Sequence, residues 1–457
     1  MKTSIIILTL NRLDLTKQCL NSIFTHTKPD QIELIIVDNG STDGTIEYLK
    51  QIQSVKLIQN QENVGFAKGC NQGASYAHGD YILFLNNDTI VSDGWLDAML
   101  ALLAQDEQIG MVGPVSNYVS GRQQIPVSYD KIENISDFAE QHCKSHRGHS
   151  KQVMRLVGFC LLVRNYIFNE IGGFDERFRL GSFEDDDLCL RVSQLGYQLH
   201  IAIDSFVHHH GHATFNSKPD LSIQNLFVEN RLRFIEKWGH KALHFFHPRT
   251  DVIQFVPPSA QKILEIGCKT GTTGIELKQR QNCSLYGVEP DEIAAQIARH
   301  EYDEVHQHAL EQTLPYPDGY FDVILLIDVL QRVVNPSSFV QKHAQLLKPS
   351  GYLICVLPNF SHAESIIPLL KGEWKYTLEG IRDFEHIRIF TPETSLALFP
   401  SKDFIIETQH FQLLNPPQNE VQFLEEVTEI AQKHGIELGN LPQRAKIYQT
   451  FLTIKKR

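Results

Sequence analysis

Four acids stand in a row at Glu184-Asp185-Asp186-Asp187, where mutual repulsion would disfavour them without a task. Carboxylates can accept protons, bind hydroxyl donors or ligate a hard cation, and acids recur at the ends of apolar runs along this chain. Ile35-Ile36-Val37 leads to Asp38-Asn39-Gly40-Ser41, and Tyr81-Ile82-Leu83-Phe84-Leu85 leads to Asn86-Asn87-Asp88. Past the middle, Ile263-Leu264-Glu265-Ile266-Gly267-Cys268-Lys269-Thr270-Gly271 and Leu285-Tyr286-Gly287-Val288-Glu289 follow the same plan. Each is an apolar β-run that ends in Gly, Asn or an acid, where a chain turns tightly and faces a polar ligand. Two such pockets in one polypeptide suggest two consecutive enzymes. His208-His209-His210-Gly211-His212 invites a metal reading. Adjacent strand residues alternate faces, however, so the run cannot all reach one ion, and His208 shares its face with His210.

The elements that must position these groups follow from pattern. Apolar runs alternate with helical periods at Ser4–Leu8, Asp14–Phe24, Leu34–Val37, Thr45–Gln51, Val55–Ile58, Phe66–Ala77 and Tyr81–Leu85. This predicts βα units and a mostly parallel sheet. The stretch 116–150 is polar and without a clear period, either an acceptor-facing insertion or a surface excursion. Phe159–Val163 resumes as a strand, Asp187–Leu195 reads as a helix, and Ile223–Trp238 is a longer amphipathic helix. A boundary near Asp251 gives domains 1–250 and 251–457. The alternation then restarts at Lys262–Ile266 and runs to Tyr352–Leu357, with a later helix at Glu420–His434 and a last strand at Ile447–Ile454.

Bulk numbers agree with an α/β chain of more than one domain: 457 residues exceed one ordinary core, and 42% hydrophobic with 21% charged residues fits a soluble globular protein. The formal charge of -12 argues against nucleic acid as a partner. No apolar run approaches the ~20 residues of a membrane span, and Met1-Lys2-Thr3 enters a strand without a signal-peptide pattern. The eight cysteines form no Cys-x-x-Cys pair, so neither zinc nor disulfides are indicated and a reduced, cytoplasmic setting is expected.

Residues 3–240 resemble the inverting family-two glycosyltransferases of GT-A fold. The resemblance rests on Thr9-Leu10-Asn11, Asp38, Asn63-Val64-Gly65-Phe66-Ala67-Lys68-Gly69-Cys70-Asn71, Asn86-Asn87-Asp88, Gly172-Gly173-Phe174-Asp175-Glu176-Arg177-Phe178 and Phe183-Glu184-Asp185-Asp186-Asp187-Leu188-Cys189-Leu190-Arg191. It implies that Thr9, Asn11 and Asp38 hold a nucleoside, and that Asn63, Gly65, Asn71 and Asn87 line the nucleotide-sugar pocket. Asp88, with His208, would ligate a divalent metal (Mg²⁺ or Mn²⁺) that absorbs charge on the diphosphate. The Asn-Asn-Asp form is that of rhamnosyltransferase-like members. Asp185 takes the place of the general base, a function typically worth ~10²–10⁴-fold in rate, with Glu184 on the acceptor side. Asp187 fits a helix N-terminus, and Arg191 is expected to pair with these acids.

Residues 261–400 resemble class I S-adenosylmethionine-dependent methyltransferases, with a Rossmann-like fold. The carriers are Glu265 to Gly271, Glu289, Leu314 to Ile324, Asp328-Val329-Leu330, Leu347-Lys348-Pro349-Ser350-Gly351 and His386-Ile387-Arg388-Ile389-Phe390-Thr391. S-adenosylmethionine would then be held by Glu265, Gly267, Gly271, Glu289 and Asp328, with Glu289 on the ribose hydroxyls. His386 is the candidate base if the acceptor is a hydroxyl. Lys269, Ala309 and Arg332 depart from the pattern. Lys269 stands where a small residue is usual, and its ammonium either pairs with the methionine carboxylate or blocks the pocket. The implied whole is a sugar transferase on a glycan or lipid-linked acceptor, fused to an O-methyltransferase. By analogy it works at the inner face of a membrane. The alternative keeps the transferase and makes the C-terminal half a non-catalytic binding or scaffold module.

Overall fold

The computed structural model describes residues 2–211 and 221–457. It divides into two compact units, Met1–Phe246 and His247–Arg457, where the pattern had suggested 250/251. Both are α/β.

The first unit is built on β1 (Thr3–Thr9), β2 (Ile32–Asp38), β3 (Val55–Gln59), β4 (Tyr81–Asn86), β5 (Thr89–Val91), β6 (Ile109–Val115), β7 (Ser150–Val153), β8 (Cys160–Arg164) and β9 (Gln198–His209). The sheet order is β3-β2-β1-β4-β8-β6-β9-β5, with β7 also on β9. Parallel pairing joins β3 to β2, β2 to β1 and β1 to β4. From β4 onward the sheet is mixed: β8 is antiparallel to both β4 and β6, β6 is parallel to β9, and β5 and β7 are antiparallel to β9. The expectation of a mostly parallel sheet therefore holds only to β4. The rest was obscured because Ile109–Val115, an apolar run buried throughout, carries no alternation to mark it.

Alternation along the central strands builds two core layers. Ile5, Ile7, Leu34, Ile36, Leu83 and Leu85 face the helices Leu13–His26 and Trp95–Gln105. Ile6, Ile35, Ile82 and Phe84 face the helices Phe66–Ala74 and Glu184–Gln194. The parallel strands thus end at one edge, where their polar tips meet the start of the Glu184–Gln194 helix. That helix begins three residues earlier than its apolar period suggested, so all four acids lie in its first turn. The polar stretch 116–150 is no free excursion: its helix Ile135–Ser145 buries Ile135 and Ala139, and Phe138 meets Phe206 of β9 edge-on.

The second unit orders β12 (Glu304–His306), β11 (Ser284–Val288), β10 (Lys262–Ile266), β13 (Phe321–Ile327), β14 (Leu347–Pro358), β16 (Ile447–Lys456) and β15 (Phe404–Leu413). The first five are parallel, and β16 inserts antiparallel between β14 and β15. The last strand joins the sheet as expected. β15 was missed because most of its residues are exposed, which leaves little apolar period. Among the described residues no helix is long and apolar enough to cross a membrane.

Candidate active sites

In the first unit the tips of β1 and β2 are stitched together by their own polar side chains. Asp38 is fully buried. Its Oδ2 accepts from Thr9 Oγ1 (2.8 Å) and Ser41 Oγ (2.5 Å), and its Oδ1 from the Gly40 and Ser41 amides (3.0 and 2.8 Å). Four donors fill a carboxylate's capacity, so Thr9 and Asp38 clasp the loop at the strand tips where a nucleoside contact was expected of them. Asn11, at φ 57°, accepts from the Thr42 amide (2.8 Å) and ties the β1 tip to the same loop.

Three further pocket residues serve the frame. Asn63 Oδ1 accepts from the Gly65 amide (2.9 Å) and from Asn39 Nδ2 (3.3 Å). Asn71 exchanges bonds with the backbone of Phe174 (both 2.9 Å), and Asn87 Nδ2 donates to Thr16 Oγ1 (3.0 Å). These side chains point to protein where a ligand contact was expected. Gly65 has φ +91°, and a Cβ there would run into the carbonyl of Arg179. Its need for glycine comes from the neighbouring 179–183 loop, not from a nucleotide. In that loop Arg179, Ser182 and Phe183 all have positive φ, backbone strain of the kind concentrated at functional sites.

Asp88 is buried at the β4 tip, with Oδ1 3.2 Å from His209 Nε2. His209 stacks on Phe159 and its Nδ1 meets the Tyr118 carbonyl oxygen (2.8 Å). His208, on the other face of β9, receives Tyr129 OH at Nδ1 (2.7 Å). Burial pushes the His208 pKa down to about 4, which leaves the ring neutral. Asp88 and His208 are not in contact, and among the described residues no three acid, His or Cys groups could hold a metal by themselves. The donor types still suit a hard cation that takes its remaining ligands from phosphate oxygens. His212 lies outside the described residues.

The acids of the Glu184–Gln194 helix divide their work. Asp185 Oδ2 accepts from the Gly158 amide (3.1 Å) and Oδ1 from the Asp186 amide (2.9 Å). Gly158 precedes Phe159, whose carbonyl takes the Asn86 amide (2.8 Å), so Asp185 is braced against the tip that carries Asp88. Glu184 Oε2 is buried with no hydrogen-bond partner, and burial, then the Asp185 charge, raises its pKa well above the carboxylate range. Asp186 holds Arg155 (2.5 Å), yet burial and Asp185 still push its pKa up to about 6. Asp187 is fully buried and bound by Arg191 (2.8 Å), Lys237 (2.6 Å) and Trp238 Nε1 (2.8 Å). The pairing with Arg191 is present; Lys237 and Trp238 went unforeseen because nothing in their local pattern marks them.

In the second unit the ends of β10 and β11 form a cradle. Gly267 (φ 76°), Lys269 (φ 51°) and Gly271 (φ 82°) alternate through left-handed backbone. The Gly267 amide donates to the Val288 carbonyl (2.7 Å), and Glu289 accepts from the Lys269 (2.8 Å) and Asp291 (2.9 Å) amides. Two of the residues expected on the cofactor also meet Tyr302. Glu265 is buried and bonded by the Tyr302 hydroxyl, and its pKa is pushed up to about 7 by burial, so it faces protein. Gly271 is required by the same Tyr302, whose ring would lie 2.9 Å from an added Cβ.

Asp328 (φ 57°) is held by Arg249 (2.5 Å) and Gln449 Nε2 (3.2 Å), partners 79 and 121 residues away. Ala309 is exposed, and Arg332 is spent on Asp383 (2.7 Å) and Glu385. His386 donates from Nδ1 to the Ile381 carbonyl (3.0 Å), so in the neutral ring Nε2 keeps its lone pair. Burial lowers its pKa, which favours that neutral form. The Glu289 carboxylate and the glycine turn are of a type that suits the ribose hydroxyls and close backbone approach of S-adenosylmethionine.

Comparison with known proteins gives a match in each half of the chain. Residues 4–172 match the family model "Glycosyl transferase family 2", and residues 228–407 match a methyltransferase domain model. Polypeptide N-acetylgalactosaminyltransferase 6 of Bos taurus is 25% identical over 286 residues, 56% of this chain and 44% of that protein. The O-antigen biosynthesis protein RfbC of Myxococcus xanthus is 28% identical over 229 residues, 47% of this chain and 18% of that one. The chain spans less than half the length of these curated relatives. A solved Thermotoga maritima S-adenosylmethionine-dependent methyltransferase, described as a possible histamine N-methyltransferase, aligns at 21% identity with TM-score 0.32, covering 52% of this chain and 99% of that one.

Proposed function

Because the chain joins a family 2 glycosyl transferase domain to a methyltransferase domain, we propose that it moves a sugar from a nucleotide diphosphate donor to a glycan hydroxyl and methylates a hydroxyl of such a glycan. The observation that carries the first step is Asp185, fixed by the Gly158 amide beside the strand tip that bears Asp88. Asp185 Oδ2 takes the proton of the acceptor hydroxyl as its oxygen attacks the anomeric carbon opposite the leaving diphosphate, which inverts that centre. A divalent cation on Asp88 would neutralise charge on the leaving group. Arg155 and the buried Asp187 cluster hold the acidic turn in place.

For the second step, S-adenosylmethionine would supply an activated methyl group. Glu289 and the 267–271 turn hold and orient it, and His386 Nε2 receives the acceptor proton, with the Ile381 carbonyl fixing the tautomer. Transfer of this kind depends chiefly on approach and alignment. The likeness to an O-antigen biosynthesis protein supports a polysaccharide or lipid-linked glycan as acceptor, and with it work at the cytoplasmic face of a membrane.

The test is donor binding and hydrolysis across UDP-, GDP- and dTDP-sugars, with and without Mn²⁺ or Mg²⁺. Turnover of one donor only with metal supports the assignment, and binding of none overturns it. A second reading, in which the C-terminal unit binds without catalysing, is favoured by Arg249 closing on Asp328 and Tyr302 on Glu265. Methyl groups counted on the product glycan separate the two.

A further inference from the structure

We propose that Lys269 is the receptor for the carboxylate at the amino-acid end of S-adenosylmethionine, an inference that rests on the methyl-donor reading of the second unit. Lys269 stands in left-handed backbone between two glycines, a conformation that L side chains rarely adopt. Its amide is locked to Glu289 Oε2 (2.8 Å), so its Cα is fixed at the mouth between β10 and β11, next to the acid suited to the ribose.

The side chain is part-buried, and among the described residues Lys269 Nζ makes no hydrogen bond or ion pair within 4.0 Å. The two acids nearest to it in charge are committed elsewhere, Asp328 to Arg249 and Gln449, and Glu265 to the Tyr302 hydroxyl. Arg249 and Arg332 add like charge around it. A part-buried cation crowded by like charge is matched by an anionic ligand. The cofactor carries one, at the end opposite its adenosine. Glu289 cannot serve that end, because carboxylates repel.

Calorimetric titration of the full chain with S-adenosylhomocysteine and with 5′-methylthioadenosine, which lacks the amino-acid end, provides the test. Lys269→Met keeps the stem and the same backbone demand but removes the charge. It is expected to weaken S-adenosylhomocysteine roughly 10–100-fold, the range of a charge-assisted hydrogen bond, and to leave 5′-methylthioadenosine unchanged. Lys269→Gly, which also relieves the backbone, is expected to show the same selective loss. Equal effects on both ligands, or none, would overturn the proposal while leaving the methyl-donor site standing. Tighter binding of both by Lys269→Gly would overturn it in favour of a side chain that blocks the pocket. Failure of the unaltered protein to bind either ligand would sink the methyl-donor reading and the proposal together.

Discussion

At the scale of single residues, identical chemical groups take different duties according to what surrounds them. Among the four acids of one helical turn, Asp187 is consumed by Arg191, Lys237 and Trp238, and Asp186 by Arg155, whereas Asp185 receives only backbone amides. Asp185→Asn is therefore expected to lower sugar transfer by about 10²–10⁴-fold while donor affinity is retained, as single-turnover rates and titration would show. Near-normal turnover would remove it as the base.

Glu265 offers a pH test. Its folded pKa of about 7 lies above the ordinary 4.5, so between those values the native state binds more protons than the unfolded chain. Stability of the second unit should fall as pH rises through that window, by on the order of 3 kcal/mol, and be level above it. Glu265→Gln should abolish that slope in urea midpoints measured from pH 4 to 8. A slope that persists in the variant would assign it to other groups.

At the scale of elements, the acidic helix is positioned by a loop that leans on Gly65. At φ +91° and ψ 173° this residue occupies backbone space open essentially to glycine, and its missing Cβ admits the Arg179 carbonyl. Gly65→Ala should destabilise the first unit by roughly 2–5 kcal/mol, combining backbone strain with overpacking. It should also cut transfer more than nucleotide binding, because the displaced segment leads into Phe183 and Asp185. Crystallography of the variant, or its urea midpoint beside its transfer rate, would check this. Unaltered stability would mean that the loop yields freely.

Little of this element-level dependence was legible in the sequence. Gly65 belongs to a motif and was noticed, but for approach to a ligand. Its actual neighbour lies more than a hundred residues further along. β6 and β15 were missed for opposite reasons, one being buried on both faces and the other mostly exposed, so neither shows the period of two that marks a half-buried strand.

At the scale of the whole molecule, each unit has its own core layers: Ile5, Leu83 and Trp95 belong to one, Leu264, Phe321 and Leu353 to the other. Scanning calorimetry should show two transitions. S-adenosylhomocysteine at 100 times its Kd should stabilise only one, by about 2.7 kcal/mol, and a nucleotide diphosphate with Mn²⁺ should shift the other. A single transition moved by both ligands would count against separate units.

The sequence by itself determined where many of the strand tips are, which of them carry acids, and that two α/β domains follow one another. Those features are local: apolar runs, turn glycines and the acids beside them lie within a few residues of each other, so they are written in the chain. The tertiary structure alone decided which acids stay open. Sheet order and helix packing bring Lys237 and Trp238 to Asp187, Arg249 and Gln449 to Asp328, and Tyr302 to Glu265. A carboxylate's function depends on how many donors already fill it, and that number is set by neighbours from distant parts of the chain.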